Sequence, residues 1–363
     1  MEKLKMALEN ARGKGKIAMF ADGFVDEVWE IVASRASLDE YSLYVRMNQF
    51  AERITSSGSG GVGLELIAKR RVFGGFTANI GYAAARLGVD VSLVGVYGAD
   101  KPDPCFEQMY EICNVHSVGD AAVTHVFEFD DGKILMSNMA PVQGLSWRAI
   151  VDRVGMDTIM DMLTSADILG VGYWSLLPAF DEIFVQICEH IPKDGKLRRF
   201  FFDFADFRKK DESSLKTSLA LLKKYNNMFP MILSVNEHEG ATLFEMCGES
   251  FDGVGRPIAE KADVVREQIG LDELVIHTPQ FAAVAATGLK PAYMPAITIE
   301  KPVRTAGAGD TFNGGYITAT LAKMSLPERL DVANAAVGHF LQTGVFPEIG
   351  SLLNCPIDRK GDH

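Results

Sequence analysis

Near the C-terminus of the 363-residue chain, Arg304-Thr-Ala-Gly-Ala-Gly-Asp310-Thr-Phe-Asn-Gly-Gly-Tyr316 places a turn of small residues before a carboxylate and an apolar, helix-compatible segment. Gly307, Ala308 and Gly309 carry little or no side chain, so their backbone N–H groups can come close to an anion, and the positive end of a following helix points the same way. Phosphate suits such a place. A lone Asp beside it is electrostatically awkward unless it waits to take a proton from a hydroxyl that attacks phosphorus, so Asp310 is a candidate general base. The same Gly-Ala-Gly-Asp is also an ordinary helix entry, because Asp is a favoured N-cap and glycines make tight turns. By itself the motif leaves both readings open.

Three further polar sites follow turns or strand-like runs. Gly74-Gly75-Phe-Thr-Ala-Asn79 opens a small-residue helix pattern that is followed by an apolar run ending in Gly98-Ala-Asp100. Ile17 to Phe20 is a short buried-strand pattern leading into Ala21-Asp-Gly-Phe-Val-Asp26, which leaves Asp26 past a strand's carboxyl end, where open α/β sheets bind ligands. Met231-Ile-Leu-Ser-Val235 delivers Asn236-Glu-His-Glu239 in the same way.

In this order, the four segments resemble the ribokinase-like, or PfkB, carbohydrate kinases, over a span from about Lys16 to about Leu352. The resemblance implies an α/β fold, a three-layer sandwich with a mainly parallel central sheet and a small β lid, the whole of residues 1–363 forming one kinase domain. It implies phosphoryl transfer from ATP to a hydroxyl of a sugar or sugar derivative, with Asp310 as base and the amides of Ala306 to Gly309 as the anion hole. Asp26, Gly74, Gly75 and Asn79 match the family's substrate-binding positions. Thr305, Asn236 and Glu239 fall on the nucleotide side, with Asn236 and Glu239 orienting Mg²⁺ through its water shell. The segment Asn334 to Gly344 covers the nucleotide base by the same analogy. A nucleoside kinase of this family, or a catalytically silent ligand-binding or regulatory relative, would share most of these residues.

One position departs from the family pattern. Arg304 stands where members commonly carry Asp or Asn, and in cation-activated members that Asp helps to bind potassium. A guanidinium cannot ligate a cation, so activity independent of potassium is expected. The alternative is an Arg304 that points to solvent.

The elements that must position these groups read as alternating strands and helices. Strand-like runs at Val91–Val96, Ile168–Val171, Arg199–Asp203, Met231–Val235 and Leu274–His277 alternate with amphipathic stretches such as Phe180–Ile191 and Ser214–Lys224. Such alternation means a parallel sheet covered on both faces. Residues 23–73 and 121–139 break the rhythm and are assigned to the lid, the second with an Asp130-Asp131-Gly132-Lys133 turn between strand-like arms. Within the first, Ser37-Leu-Asp-Glu40 reads as a capping box opening a helix to about Ile54, with Leu38, Tyr41, Val45 and Phe50 on one face. Its cover would be the main domain or a second subunit, and a homodimer through the lid is the expectation.

Other signals carry less chemistry. Gly58-Ser-Gly-Gly-Val-Gly63 fits a dinucleotide fingerprint but lacks a preceding buried strand and a following helix, so it reads as a lid loop. Lys69-Arg70-Arg71 reads as a solvated strand end, with a cationic rim for an acidic substrate as the alternative. His238 and His277 read as packing or edge residues; Asp203 and Asp206 follow a strand-like run and read equally as facing the nucleotide or substrate or as turn and cap residues, and they are left out of the site.

Composition bounds the rest. A 47% hydrophobic content can bury a large core, and a net charge of 36 − 48 = −12 disfavours nucleic acid or an anionic membrane as partner. Cysteines 105, 113, 188, 247 and 355 show no Cys-x-x-Cys pair or zinc spacing and read as reduced thiols. Glu2 to Arg12 reads as a short polar helix, no apolar run reaches spanning length, and a cytoplasmic protein acting on a small sugar-type molecule is expected.

Overall fold

Strand β1 (Lys16–Asp22) shows why the central sheet needs cover on both faces. Ile17 and Met19 pack into one core with Phe76, Ala83, Phe312 and Tyr316, whereas Ala18 and Phe20 pack into another with Trp174, Phe180 and Phe184. Both sets are buried, so the strand is apolar from Ile17 to Ala21. Phe200 and Phe202 against Phe201 repeat this division in the strand Arg199–Asp203.

The computed structural model describes residues 2–252, 255–297 and 299–353. Its strands in chain order are β1, β2 (Phe24–Arg35), β3 (Tyr41–Leu43), β4 (Glu65–Gly74), β5 (Asp90–Val96), β6 (Asn114–Gly119), β7 (Ala122–Phe129), β8 (Gly132–Asn138) and β9 (Ile168–Val171). They continue with β10 (Arg199–Asp203), β11 (Met231–Asn236), β12 (Glu273–His277), β13 (Phe281–Ala286) and β14 (Ala292–Pro295). The large sheet runs β14-β13-β12-β11-β10-β9-β1-β5-β6, parallel from β12 to β6 and closed by antiparallel β13 and β14. Helices cover both faces, which makes three layers.

The small sheet is built on β2, which pairs antiparallel with β3 and β4 and parallel with β7, while β8 closes on β7. Only Gly23 separates β1 from β2, and a Cβ there would lie 2.1 Å from the Val96 carbonyl oxygen, so the chain can cross between sheets only at a glycine. The segments expected to form the lid supply all five strands. Lys133 and Leu135 of β8 reach the wall of the large cavity described below.

Two sequence readings change. The helix expected from Ser37 does not form: Ser37 Oγ accepts from the Glu40 amide at 3.1 Å, but the chain turns back as β3, and a helix begins only at Met47 and ends at Thr55. Arg35 stabilises this turn by donating to the carbonyls of Ser37 and Leu38, leaving Leu38 89% exposed. Pairing with β2 overrides the local helical spacing. Asp26 is likewise not at the end of β1. Asp22 ends that strand, and Asp26 lies within β2.

The Lys69-Arg70-Arg71 run is in β4 and is consumed by carboxylates: Lys69 meets Glu30 at 2.7 Å, Arg70 Glu128 at 2.5 Å, and Arg71 Asp103 at 2.6 Å. The Gly58–Gly63 run is an exposed turn and loop leading into β4. Cys105, Cys113, Cys188 and Cys247 are free thiols, and Cys355 lies outside the described residues. Among the described residues no helix is long and apolar enough to cross a membrane.

Candidate active site

Asp310 is in the first turn of the Ala308–Leu321 helix, 8% exposed, and both carboxylate oxygens are held. Tyr173 Oη donates to Oδ1 at 2.6 Å and Asn79 Nδ2 donates to Oδ2 at 2.7 Å. Burial pushes the Asp310 pKa up to about 6 against these two hydrogen bonds, so the group is mainly ionised at neutral pH and still basic enough to take a proton. The helix entry is Gly307, at φ +89°, a conformation that strains any residue with a Cβ. Ala308 spends its N–H on the Thr305 carbonyl at 3.1 Å. The amides of Ala306, Gly307 and Gly309 find no acceptor among the described residues and are available to an anion. The anion hole expected from the small-residue turn therefore loses one of its four amides.

The helix is held there by close packing. A Cβ on Gly314 would lie 2.5 Å from the Ala83 Cβ, and one on Gly315 would lie 3.0 Å from Ala333 Cα. Asn313 ties the same helix to the sheet, accepting from Ser234 Oγ at 2.6 Å and donating to Asp203 Oδ2 at 2.9 Å.

On the side of the small sheet, burial pushes Asp26 up to about 6, opposed by the charges of Arg304, Lys133 and Arg70. Gly74 lets this carboxylate approach the backbone, since a Cβ there would lie 2.9 Å from Asp26 Oδ2. Gly75, at φ +100°, does the same for Asp22 at 3.0 Å. Asp22 accepts from the amides of Phe76 and Thr77 at 2.8 and 2.9 Å, capping the Phe76–Arg86 helix, and burial pushes it up to about 7. That helix carries Asn79, 5% exposed, whose Oδ1 is buried without a partner among the described residues.

A cavity of about 860 Å³ opens on the other side of Asp310, walled by Thr305, the 306–309 turn, Asn236, Glu239 and Asn334. Asn236 and Glu239 form a reciprocal helix cap: Asn236 Oδ1 accepts from the Glu239 amide at 3.1 Å, and Asn236 Nδ2 donates to Glu239 Oε1 at 2.5 Å. Both oxygens of Glu239 are bonded to Asn236, yet Glu239 is 2% exposed, and burial followed by repulsion from Asp203 pushes its pKa well up. Asp203, 7% exposed, is pushed up to about 7 by burial and then by Asp310. Such acids crowded at one wall call for a cation. Among the described residues no three His, Cys, Asp or Glu side chains gather to hold a metal alone, so water and phosphate would have to complete its shell.

Tyr173 lines this site and escapes the sequence reading, and Asp203, which the sequence leaves between ligand contact and a cap, lines it too. Asp203 sits at the carboxyl end of β10, a position that signals ligand contact, whereas Tyr173 follows β9 and carries no motif. Asp206 does act as a turn cap, accepting from the Arg208 amide at 3.1 Å. His277 packs on Phe312 at 5.1 Å between ring centroids, and burial pushes it down to about 4, so it is neutral; it also reaches the cavity wall.

The fold is shared with solved structures of low identity. Arabidopsis thaliana ribokinase complexed with ribose and ATP superposes at a TM-score of 0.66 with 17% identity, over 94% of this chain and 98% of that one. A Methanocaldococcus jannaschii nucleoside kinase, an archaeal member of the ribokinase family, gives 0.59 with 14% identity, over 93% and 97%. The architecture is that of the ribokinase-like, PfkB carbohydrate kinases. In sequence, a curated ketohexokinase of Haloferax volcanii is 26% identical over 343 residues, which span 93% of this chain and 90% of that protein. The family model of prokaryotic ketohexokinase matches residues 2–355, and the chain belongs to that family. It is accordingly a sugar kinase, a phosphotransferase with an alcohol group as acceptor.

Proposed function

We propose that the chain transfers the γ-phosphate of MgATP to a hydroxyl of a ketohexose, with Asp310 as the general base. The observation that carries the reading is Asp310 itself, a buried carboxylate with a pKa near 6 beside three unspent amides. Each of its oxygens accepts one hydrogen bond and keeps a lone pair for an acceptor hydroxyl. Tyr173 and Asn79 fix the carboxylate's direction, and Asp26 accepts hydroxyl hydrogens from the sugar on the small-sheet side. As the hydroxyl attacks, its proton passes to Asp310, and the amides of Ala306, Gly307 and Gly309 face the charge on the transferring phosphoryl group.

Asp203 and Glu239 fit a hydrated Mg²⁺, because two buried acids that repel each other lack a compensating cation. Asn236 keeps Glu239 in place and offers no free side-chain oxygen lone-pair direction of its own, its Oδ1 already accepting two amides. The ion, when bound, neutralises the β- and γ-phosphates. Thr305 and Asn334 line the remaining nucleotide cavity.

A coupled ADP-release assay with MgATP across ketohexoses, aldohexoses, sugar acids, sugar phosphates and nucleosides tests the assignment. The reading expects the highest kcat/KM on a ketohexose. Preference for a nucleoside, or silence on every sugar, contradicts it.

A further inference from the structure

Arg304 is pinned at its stem and free at its fork. Its Nε donates to the Ala306 carbonyl at 2.9 Å, inside the anion turn, and its guanidinium lies over the rings of Phe340 and Phe346 at 5.0 and 5.8 Å. Neither Nη makes a hydrogen bond among the described residues. The fork lies beside the site, at the edge of a neighbouring cavity lined by Arg71, Phe73 and Tyr82: the position that a Cβ on Gly307 would take is 3.7 Å from Arg304 Nη2 and 3.6 Å from Asn79 Nδ2, the atom that holds Asp310. Asn79 Oδ1, an acceptor with no donor, belongs to the same group. Among the described residues, a donor without an acceptor and an acceptor without a donor, both close to the Gly307 turn beside Asp310, describe a place for a hydroxyl, which can serve both.

We infer that Arg304 is an acceptor-binding residue, donating from its Nη atoms to a hydroxyl of the sugar that Asn79 also receives. This rests on the sugar-kinase reading and adds a contact to it. The ligand group is a neutral hydroxyl rather than a carboxylate or phosphate, because the guanidinium sees Arg70, itself paired with Glu128, as well as Asp26 and Asp310, which leaves no surplus positive charge for an added anion. The position before the signature Thr thereby turns from a matter of ion supply into one of sugar recognition. The planar fork matters, since Lys would present a point charge on a flexible stem and lose the Nε bond to Ala306.

The test separates KM from kcat in Arg304→Met and Arg304→Lys, with folding checked by thermal melting. Loss of a charged donor to the sugar should raise the ketohexose KM about tenfold or more in Arg304→Met, less in Arg304→Lys, and leave the KM for MgATP within about twofold. Calorimetric titration of the ketohexose into each protein should weaken in parallel. An unchanged ketohexose KM, or a rise in the MgATP KM to match, overturns the inference, the second showing that Arg304 only shapes the anion turn. A wild type that neither binds nor phosphorylates a ketohexose, but does so with another sugar, corrects the substrate, and the same comparison on that sugar still decides Arg304. Absence of turnover and of binding with every sugar overturns both readings.

Discussion

At the scale of single residues, the site is organised by how each carboxylate is held. In the proposed role Asp310 must be ionised to act, so kcat/KM for the proposed ketohexose substrate should fall as pH drops through about 6. Asp26 titrates in the same range, and Tyr173 distinguishes the two because among the described residues its hydroxyl bonds only Asp310. That bond favours the charged form, so Tyr173→Phe should move the acid limb to higher pH; an unmoved limb would assign it to another group. Arg304 supports a second prediction, since a guanidinium fixed to the Ala306 carbonyl puts a permanent positive charge beside the turn. Replacing tetramethylammonium with potassium at constant ionic strength should change kcat by less than about twofold, and many-fold activation would refute this.

The residue types at the site were legible because their chemistry needs them at turns and strand ends. Asp310, Asn79 and Glu239, far apart in sequence, meet around one cavity edge or its neighbouring hydrogen bonds. Tyr173 was not legible: a tyrosine after a strand has many ordinary uses, and only the fold brings its hydroxyl to a residue 137 positions away.

At the scale of elements, long apolar strands were readable and pairing-dependent ones were not. Strands β9 and β10 follow their apolar runs residue for residue because burial on both faces leaves no ambiguity of period. Tyr41 to Leu43 becomes a strand only because the far end of β2 needs a partner, information that lies in Val32 to Arg35. The sequence reading also stops at His277, since Phe-Ala-Ala-Val-Ala-Ala in β13 has weak strand preference and takes its form from pairing with β12. Gly314 and Gly315 lie in the helix interior and allow close approach to neighbouring helices. Gly314→Ala should lower unfolding stability by about 1–3 kcal/mol in urea denaturation, through overpacking against Ala83. Wild-type stability in that variant would show that the helix can shift away at no cost.

At the scale of the whole molecule, the buried acids set a dependence on pH and metal. Asp22 and Asp203 titrate near 7 when folded, against roughly 4 in an unfolded chain. The folded state keeps protons that the unfolded state has lost, so their stabilising contribution is full below about pH 4 and is lost as pH rises through about 7. Thermal stability should therefore decline from about pH 5 to about pH 8, and MgATP should restore more of it at the higher pH. Asp203→Asn should blunt that difference. An Mg²⁺ response equal in variant and wild type would remove Asp203 from the proposed metal site. The exposed Met136 of β8, which points away from the cavity wall formed by Leu135, is a candidate for the face of a homodimer, and a monomeric mass at micromolar concentration would count against one.

The central claim is that Asp310 removes the proton from the sugar hydroxyl, and Asp310→Asn tests it most directly, because the amide keeps the shape of the group and its contact with Tyr173 but cannot act as a base. The measurement is ketohexose-dependent ADP release by wild type and variant, beside calorimetric binding of MgATP to both. A fall in kcat of about 10²-fold to 10⁴-fold with MgATP binding retained is the predicted result; a variant that turns over within about threefold of wild type would contradict it.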